Sequence, residues 1–116
     1  MQKTSSPEIE TQPKPQALED RTLPRPVAIT GGDPAGIGPE IVEAWWEKQT
    51  SGFNDYVFVG PPDWLTRLNE IHPVRGVEIG RTGTTPGRPS LESARTAYGC
   101  LESVANGCLI GSYSGV

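Results

Sequence analysis

The residues whose types and spacing could support chemistry are concentrated in one segment, Gly31-Gly32-Asp33-Pro34-Ala35-Gly36-Ile37-Gly38-Pro39-Glu40. Glycines between a buried strand and a helix let backbone amides approach an anionic ligand, and a helix N-terminus favours negative charge. The segment is not a P-loop, because no Lys-Ser or Lys-Thr follows the glycines. It also departs from the Rossmann fingerprint, since Ile41 stands at the third glycine position. The glycines alone therefore fit two interpretations, a ligand-binding turn or a tight strand-to-helix turn that needs positive φ.

Outside this segment, few residues have the chemistry of a site. Cys100 and Cys108 share a predicted helix and lie about 12 Å apart along its axis, which is too far for a disulfide. We expect both to be small buried hydrophobes. The single histidine, His72, ends a predicted helix and is expected at the surface. Asp33 has no carboxylate or histidine partner nearby in sequence, so an Asx-type turn before Pro34 is favoured over a role as general base.

Strands and helices alternate from the glycine turn onward. Residues 27–30 form a short apolar run typical of a buried strand, and Pro39 suits the first position of the helix that follows. That helix ends at residues 50–52 and carries an apolar stripe consisting of Ile41, Val42, Trp45 and Trp46. A second strand is predicted over residues 56–59, closed by Gly60. The double proline at 61–62 begins another helix, whose apolar face consists of Trp64, Leu65, Leu68 and Ile71.

The second half continues the alternation. A short third strand is predicted over residues 77–79, and a loop rich in Gly, Thr and Pro covers residues 80–89. Ser90 is the predicted N-cap of a long helix. The stripe that we expect to face the core comprises Leu91, Ala94, Ala97/Tyr98, Leu101, Val104/Ala105 and Cys108/Leu109. Residues 114–116 look like the start of a further strand. This order predicts an α/β fold, with an incomplete parallel sheet that needs helices on both faces.

Composition separates the chain into a tail and a domain. Glycine and proline make 14 + 12 = 26 of 116 residues, which is well above the share of about 12% in average proteins. Prolines are dense in residues 1–25, where Gln, Ser, Thr and mixed charges leave too little apolar surface to offset the ordering entropy. We therefore predict a disordered extension over 1–25 and a domain portion over 26–116.

Charge and hydropathy exclude several classes of function. Ten basic residues against fourteen acidic ones give a net charge of −4, so the chain lacks the basic patch that nucleic-acid binding needs. No apolar run approaches the roughly 18 residues of a membrane span. The N-terminus has no apolar signal-peptide core, and its acidic residues argue against a transit peptide. We expect a cytoplasmic protein that binds neither nucleic acid nor membranes.

Read as a whole string, the glycine segment is far more specific than its glycines. Thr30-Gly31-Gly32-Asp33-Pro34-Ala35-Gly36-Ile37-Gly38-Pro39-Glu40-Ile41 closely resembles the N-terminal signature of the 4-hydroxythreonine-4-phosphate dehydrogenase family. The shorter Gly-Asp-Gly-Ile-Gly-Pro-Glu form belongs to related isocitrate and isopropylmalate dehydrogenases. Two later segments agree in order and spacing, Val57-Phe58-Val59-Gly60 and Pro86-Gly87-Arg88-Pro89-Ser90. The resemblance runs from about Pro26 to Val116 and implies the N-terminal portion of an isocitrate/isopropylmalate dehydrogenase-like fold.

The resemblance implies a metal-assisted oxidation that uses NAD or NADP, in vitamin B6 biosynthesis. In that family 4-phosphooxy-threonine, a phosphorylated 3-hydroxy amino acid, loses a hydride to the nicotinamide, and the 3-oxo acid then loses CO₂. A divalent metal (Zn, Mg, Mn or Co) held by three histidines polarises the hydroxyl. Members are homodimers with the site completed across the interface. The metal histidines and the phosphate-binding residues lie beyond the part that this chain matches.

Only the glycine turn can be carried over from the family. The resemblance places it beside the dinucleotide and implies five cofactor-binding residues, namely Gly32, Asp33, Gly36, Ile37 and Gly38, with Ile37 as an apolar contact. No catalytic residue and no metal ligand is assigned, because one histidine cannot form a three-histidine site. We therefore expect a truncated chain that is inactive alone and binds no cofactor tightly.

Two alternatives stay open at this stage. The first is a dehydrogenase of a related four-carbon sugar-acid phosphate or of a dihydrodiol, built on the same scaffold. The second is a non-catalytic α/β binding module, in which three tryptophans would form a surface for a partner: Trp45, Trp46 and Trp64. Packing of these tryptophans in a core or a subunit interface is the simpler explanation.

Overall fold

The computed structural model of the chain describes residues 25–81 and 83–116. The predicted disordered extension over 1–25 lies outside these residues, except for Arg25. The described part contains seven elements: β1 (Val27–Thr30), α1 (Gly38–Glu47), a short 3-10 helix (Phe53–Asp55), β2 (Tyr56–Gly60), α2 (Pro62–Ile71), β3 (Gly76–Glu78) and α3 (Leu91–Leu109). All the predicted strands and helices are present. Helix α1 ends earlier than expected, since Lys48 is its C-cap, and β3 lies one residue earlier.

The three strands form one parallel sheet in the order β1-β2-β3. The end of the chain extends it, because Gly115 pairs in parallel with Val27 on the free side of β1. Two hydrogen bonds hold this pairing: Ala28 N donates to Gly115 O at 2.9 Å, and Ser114 N donates to Pro26 O at 2.9 Å. The predicted α/β fold and the predicted start of a further strand are therefore both confirmed.

One face of the sheet is covered by α1 and α2, which pack an aromatic core. Its fully buried members are Trp46, Phe58, Trp64 and Leu68. Our expectation of a surface position for His72 is wrong. Its ring stacks on Phe53 with centroids 4.4 Å apart and meets Trp46 edge-on at 5.3 Å. The histidine is half-buried because the short 3-10 helix brings Phe53 against the end of α2.

The opposite face is covered by α3, over a core of small and branched side chains: Ala28, Val57, Val59, Cys100 and Val104. The stripe predicted to face this core is wrong at Leu91, Tyr98 and Leu101, which are exposed. Of its predicted members Val104 is buried, and the other buried residues of the helix lie outside the stripe: Ser93, Thr96, Cys100 and Gly107. Close packing explains the choice: the Tyr113 ring lies where a side chain on Gly107 would be.

The start of α3 and its cysteines follow the prediction in part. Ser90 caps the helix, since its Oγ accepts from Ser93 N at 3.0 Å while Ser93 Oγ accepts from Ser90 N at 2.9 Å. Cys100 is buried, as expected, but Cys108 is only half-buried; both are free thiols. Within residues 25–81 and 83–116, no helix has the length and apolarity to cross a membrane.

Candidate functional site

The glycine turn lies at the carboxyl edge of the sheet, where a change of direction in the topology opens a crevice. From β1 the chain passes through α1 to β2 on one side, whereas α3, on the opposite face, leads to Gly115 on the other side of β1. Open α/β sheets bind ligands at such a point, outside the carboxyl ends of the strands. The turn that follows β1 is therefore placed where this architecture binds small molecules.

Hydrogen bonds within the turn fix its shape. Gly32 N donates to Thr30 Oγ1 at 3.0 Å, and Ala35 N donates to Asp33 Oδ1 at 2.8 Å. Gly36 N also donates to Asp33 O at 2.9 Å. The bond to the Asp33 carboxylate is the Asx-type turn favoured from the sequence. Asp33 therefore stabilises the turn through one of its carboxylate oxygens.

The structure explains in two different ways why glycine stands at two of the three predicted site positions. Gly38 is required by packing, because a Cβ there would overlap the carbonyl oxygen of Gly31. Gly32 is required by conformation, since its φ is +75°, a value that costs L-residues about 1–2 kcal/mol. A Cβ at Gly32 would nevertheless meet no atom within 4 Å. Gly32 and Gly36 are exposed, so both backbones are open to close approach by a ligand.

Ile37 presents an apolar side chain beside these glycines. It is 70% exposed and is the N-cap of α1, which has no side-chain cap. One helical turn later, Ile41 is also exposed. The first amides of α1 therefore have no side-chain acceptor, and an apolar pair lies next to them. All five predicted cofactor-binding residues lie on one continuous turn. Their contact with a dinucleotide stays a prediction.

A cavity of about 210 Å³ lies next to the turn, between the starts of α1 and α2. Its polar lining is acidic, because Glu40, Glu43 and Asp63 face a single cation, Arg67. Arg67 Nε lies 3.2 Å from Glu43 Oε2, and Arg67 Nη1 lies 3.9 Å from Asp63 Oδ2. Three carboxylates against one guanidinium disfavour a phosphate group in this cavity.

Two contacts that hold the turn were missed from the sequence. Gly87 N, in the loop after β3, donates to Ala35 O at 2.7 Å. Trp64 Nε1, at the start of α2, donates to Pro39 O at 3.2 Å. The Pro-Gly-Arg-Pro string around Gly87 was recognisable in the sequence, but nothing in its spacing predicted a contact with the turn. These two hydrogen bonds connect the turn to α2 and to the later loop.

The described residues do not fit the metal of the family. They contain no group of three or more His, Cys, Asp and Glu side chains that could hold an ion. His72 is the C-cap of α2, and α2 connects the carboxyl end of β2 to the amino end of β3. The histidine therefore lies at the opposite edge of the sheet from the turn. No catalytic step through a metal can be derived from these residues.

The fold is that of α/β proteins with a glycine turn at the switch point of the sheet, where this architecture binds small molecules. Comparison with known proteins shows which of them the chain resembles in sequence. No family model matches the chain. Curated 4-hydroxythreonine-4-phosphate dehydrogenases do match. The protein from Zymomonas mobilis is 29% identical over 67% of this chain and 29% of its own length. Those from Methylorubrum extorquens and Methylorubrum populi are 42% identical over 47% and 60% of this chain.

These matches confirm the resemblance inferred from the glycine segment. The chain is similar to several proteins that share one name, and all of them are oxidoreductases by that name. The aligned region spans 29%, 17% and 27% of the three relatives. The chain therefore matches less than a third of the length of these relatives.

Proposed function

We propose that this chain forms the dinucleotide-side portion of a 4-hydroxythreonine-4-phosphate dehydrogenase. The reaction would be the oxidation of 4-phosphooxy-threonine by NAD or NADP, followed by decarboxylation, in vitamin B6 biosynthesis. The observation that carries the proposal is the glycine turn, whose string resembles the family signature and which follows β1 at the switch point of the sheet. A cytoplasmic location and the homodimer implied by the resemblance stay predictions.

Within this function, the turn contacts the uncharged part of the dinucleotide rather than its pyrophosphate. Exposed Ile37 and the exposed backbones of Gly32 and Gly36 suit the flat face of a base or a ribose. The acidic side chains nearby, Glu40 and Glu43, oppose a phosphate at the same place. The turn thus orients one end of the cofactor, and the residues that complete the site come from elsewhere.

We further propose that the 116 residues do not turn over substrate alone. The described part has no group of residues that could hold the divalent metal, which supplies the polarisation of the hydroxyl in this family. The hypothesis of a binding module with a tryptophan surface loses its basis, because Trp46 and Trp64 are buried. Oxidation of a related sugar-acid phosphate or a dihydrodiol remains the second candidate, since the turn contacts only the cofactor.

The test is binding of NADH to the purified chain, measured by ligand-observed NMR. Ile37→Asp should weaken binding about tenfold or more, because it places a carboxylate against the cofactor. Ile110→Asp is the matched control: Ile110 is 68% exposed and follows the C-terminal end of α3, away from the turn. Equal binding by the Ile37 and Ile110 variants would refute the site.

Activity assays test which substrate is oxidised and whether the chain is inactive alone. The chain is assayed with NAD or NADP, Mg²⁺, Mn²⁺ or Zn²⁺, and either 4-phosphooxy-threonine, a four-carbon sugar-acid phosphate or a dihydrodiol. We expect no nicotinamide reduction above background with any of them. Turnover of one substrate would identify the reaction and overturn the proposal that these residues are inactive alone.

A further inference from the structure

Gly32 is the site glycine whose conformation is least supported by packing. Its φ of +75° lies in the left-handed region, which glycine can leave at little cost because it populates positive and negative φ about equally. Among the described residues, no atom other than those of its chain neighbours lies within 4 Å of the position that a Cβ would take. Gly38, in contrast, lies directly against the Gly31 carbonyl. Something other than packing must therefore hold Gly32 in its conformation.

A hydrogen bond to a side chain of β1 supplies this support. Gly32 N donates to Thr30 Oγ1 at 3.0 Å. Thr30 is the last residue of β1, and its backbone is fixed by parallel pairing with Val59. Its β-branched side chain has few rotamers, so its hydroxyl oxygen is a stationary acceptor. The conformation of Gly32 thus depends on a residue just outside the five predicted cofactor-binding residues.

The Thr30 hydroxyl has a second partner beneath the turn. Side chains alternate along β1: Ala28 belongs to the core under α3, and Ile29 packs in the aromatic core on the opposite face. Thr30 therefore points towards α3, where it forms a hydrogen bond with the thiol of the fully buried Cys100. Because the hydroxyl oxygen already accepts from Gly32 N, its own proton is the one donated to the sulfur.

We propose that Thr30 is a positioning residue of the candidate site, which links the buried Cys100 thiol to the exposed Gly32 backbone. Its hydroxyl donates to Cys100 Sγ below the turn and accepts from Gly32 N above it, so the turn keeps one shape before a ligand arrives. A preformed turn reduces the free energy that is lost in ordering the site on binding. The inference rests on the proposed function in one respect, namely that the ligand at Gly32 is a nicotinamide dinucleotide.

The same hydrogen bond limits what the turn can offer a ligand. The amide protons of Gly32, Ala35 and Gly36 are all donated within the turn. Glycine turns that bind phosphate groups do so through such amides, so these three amides cannot serve a phosphate here. With Thr30 in place, Gly32 meets a ligand through the rest of its backbone, which suits an uncharged group such as a ribose or a base.

Hydrogen exchange of the Gly32 amide, followed by NMR without cofactor, tests the positioning role by itself. Thr30→Val keeps the branching of the side chain but removes the hydroxyl, so protection at Gly32 should fall about three- to tenfold. Thr30→Ser should restore it, because the serine hydroxyl can make both bonds. Thr66→Val is the matched control: the exposed Thr66 of α2 donates to Pro62 O at 3.0 Å, and its loss should leave Gly32 unchanged.

A double-mutant cycle tests the part played by Cys100. Cys100→Ala should lower protection at Gly32 by less than Thr30→Val does, because Thr30 Oγ1 still accepts from Gly32 N. The double variant should lose no more protection than Thr30→Val alone, since Cys100 acts on Gly32 only through Thr30. Additive losses would overturn the proposal, and so would an equal loss at Gly32 in Thr30→Val and Thr66→Val.

Binding of NADH separates this inference from the proposed function. Thr30→Val should weaken binding about three- to tenfold, and Thr30→Ser should restore it. Wild-type affinity in Thr30→Val would overturn the positioning role, while the proposed function would stand. A wild-type chain that binds no NADH would overturn the proposed function, and the exchange of the Gly32 amide would then decide the positioning role by itself.

Discussion

The two faces of the sheet are packed with different kinds of side chain. On the face covered by α1 and α2, aromatic rings interlock: Trp46 meets Phe58 at 4.9 Å and Phe53 at 5.3 Å, both edge-on. Indole N–H groups also join separate elements, since Trp46 Nε1 donates to Leu68 O at 3.2 Å. On the α3 face, the core consists of alanine, valine and cysteine side chains. Each buried aromatic residue contributes far more area than a valine.

The difference between the two faces bears on the candidate site and on the exposed surface of α3. The glycine turn is attached to the aromatic face, because Trp64 donates to Pro39 O at the start of α1. Helix α3, in contrast, buries small residues and exposes larger ones. The aromatic face thus holds the candidate site in place, whereas α3 leaves large apolar side chains exposed on its outer side. Substitutions made on each face and measured separately test whether the two faces contribute differently to stability.

The largest expected effect is on the aromatic face. Trp46→Ala should lower the free energy of unfolding by about 3–5 kcal/mol, because it removes a fully buried indole and its hydrogen bonds. Urea unfolding followed by far-UV circular dichroism measures it. Since this loss is a large fraction of the stability of a small domain, Trp46→Phe is measured beside it. The phenyl ring keeps part of the packing, so a smaller loss is expected.

A smaller effect is expected on the α3 face. Val104→Ala should lower the free energy of unfolding by about 2 kcal/mol, through lost burial and the cavity that remains. Asn106→Ala, at an exposed position of the same helix, should change it by less than about 0.5 kcal/mol. If Val104→Ala cost as much as Trp46→Ala in the same urea experiment, the distinction between the two faces would be wrong.

Local signals made most of the fold predictable. Proline at the start of α1 and α2 and the Ser90 cap mark where the helices begin, and short β-branched runs mark the strands. The inward face of α3 was not predictable in this way. The helix has one arc of large apolar residues and another of small ones, and hydrophobicity favours the first. Packing around the helix selects the second, because the Tyr113 ring leaves no room for a side chain on Gly107, and Thr96 lies directly against Gly80.

The sequence allowed the residues of the glycine turn to be predicted, but not the residues that surround the turn in the fold. The string from Thr30 to Ile41 carries its own turn chemistry, and the Asp33 hydrogen bond followed from it. Its surroundings depend on crossovers that bring distant residues together. The bond from Gly87 to Ala35 joins positions 52 residues apart (87 − 35). His72 was misplaced for the same reason, since Phe53 and Trp46 reach it from other elements.

The smallest expected effect is a dependence on pH from the α3 face. Burial raises the pKa of the Cys100 thiol, and its hydrogen bond with Thr30 opposes this in part. In the unfolded chain the thiol loses its proton near its ordinary value of about 8.5, whereas the native thiol still holds it. Above that pH the native state binds more protons than the unfolded state, so stability falls as pH rises through the two pKa values.

Cys100→Ala should therefore flatten the decline of the urea midpoint between neutral pH and about pH 10. A residual decline is expected from Tyr113 on the same face, where burial first, and then the nearby Cys108, raise the pKa of the phenol. Tyr113→Phe removes that contribution and serves as the second variant. An unchanged slope in Cys100→Ala would mean that the thiol titrates in the native state as it does in the unfolded chain. The α3 face would then be open to water at Cys100, and its difference from the aromatic face would be one of exposure as well as of side-chain size.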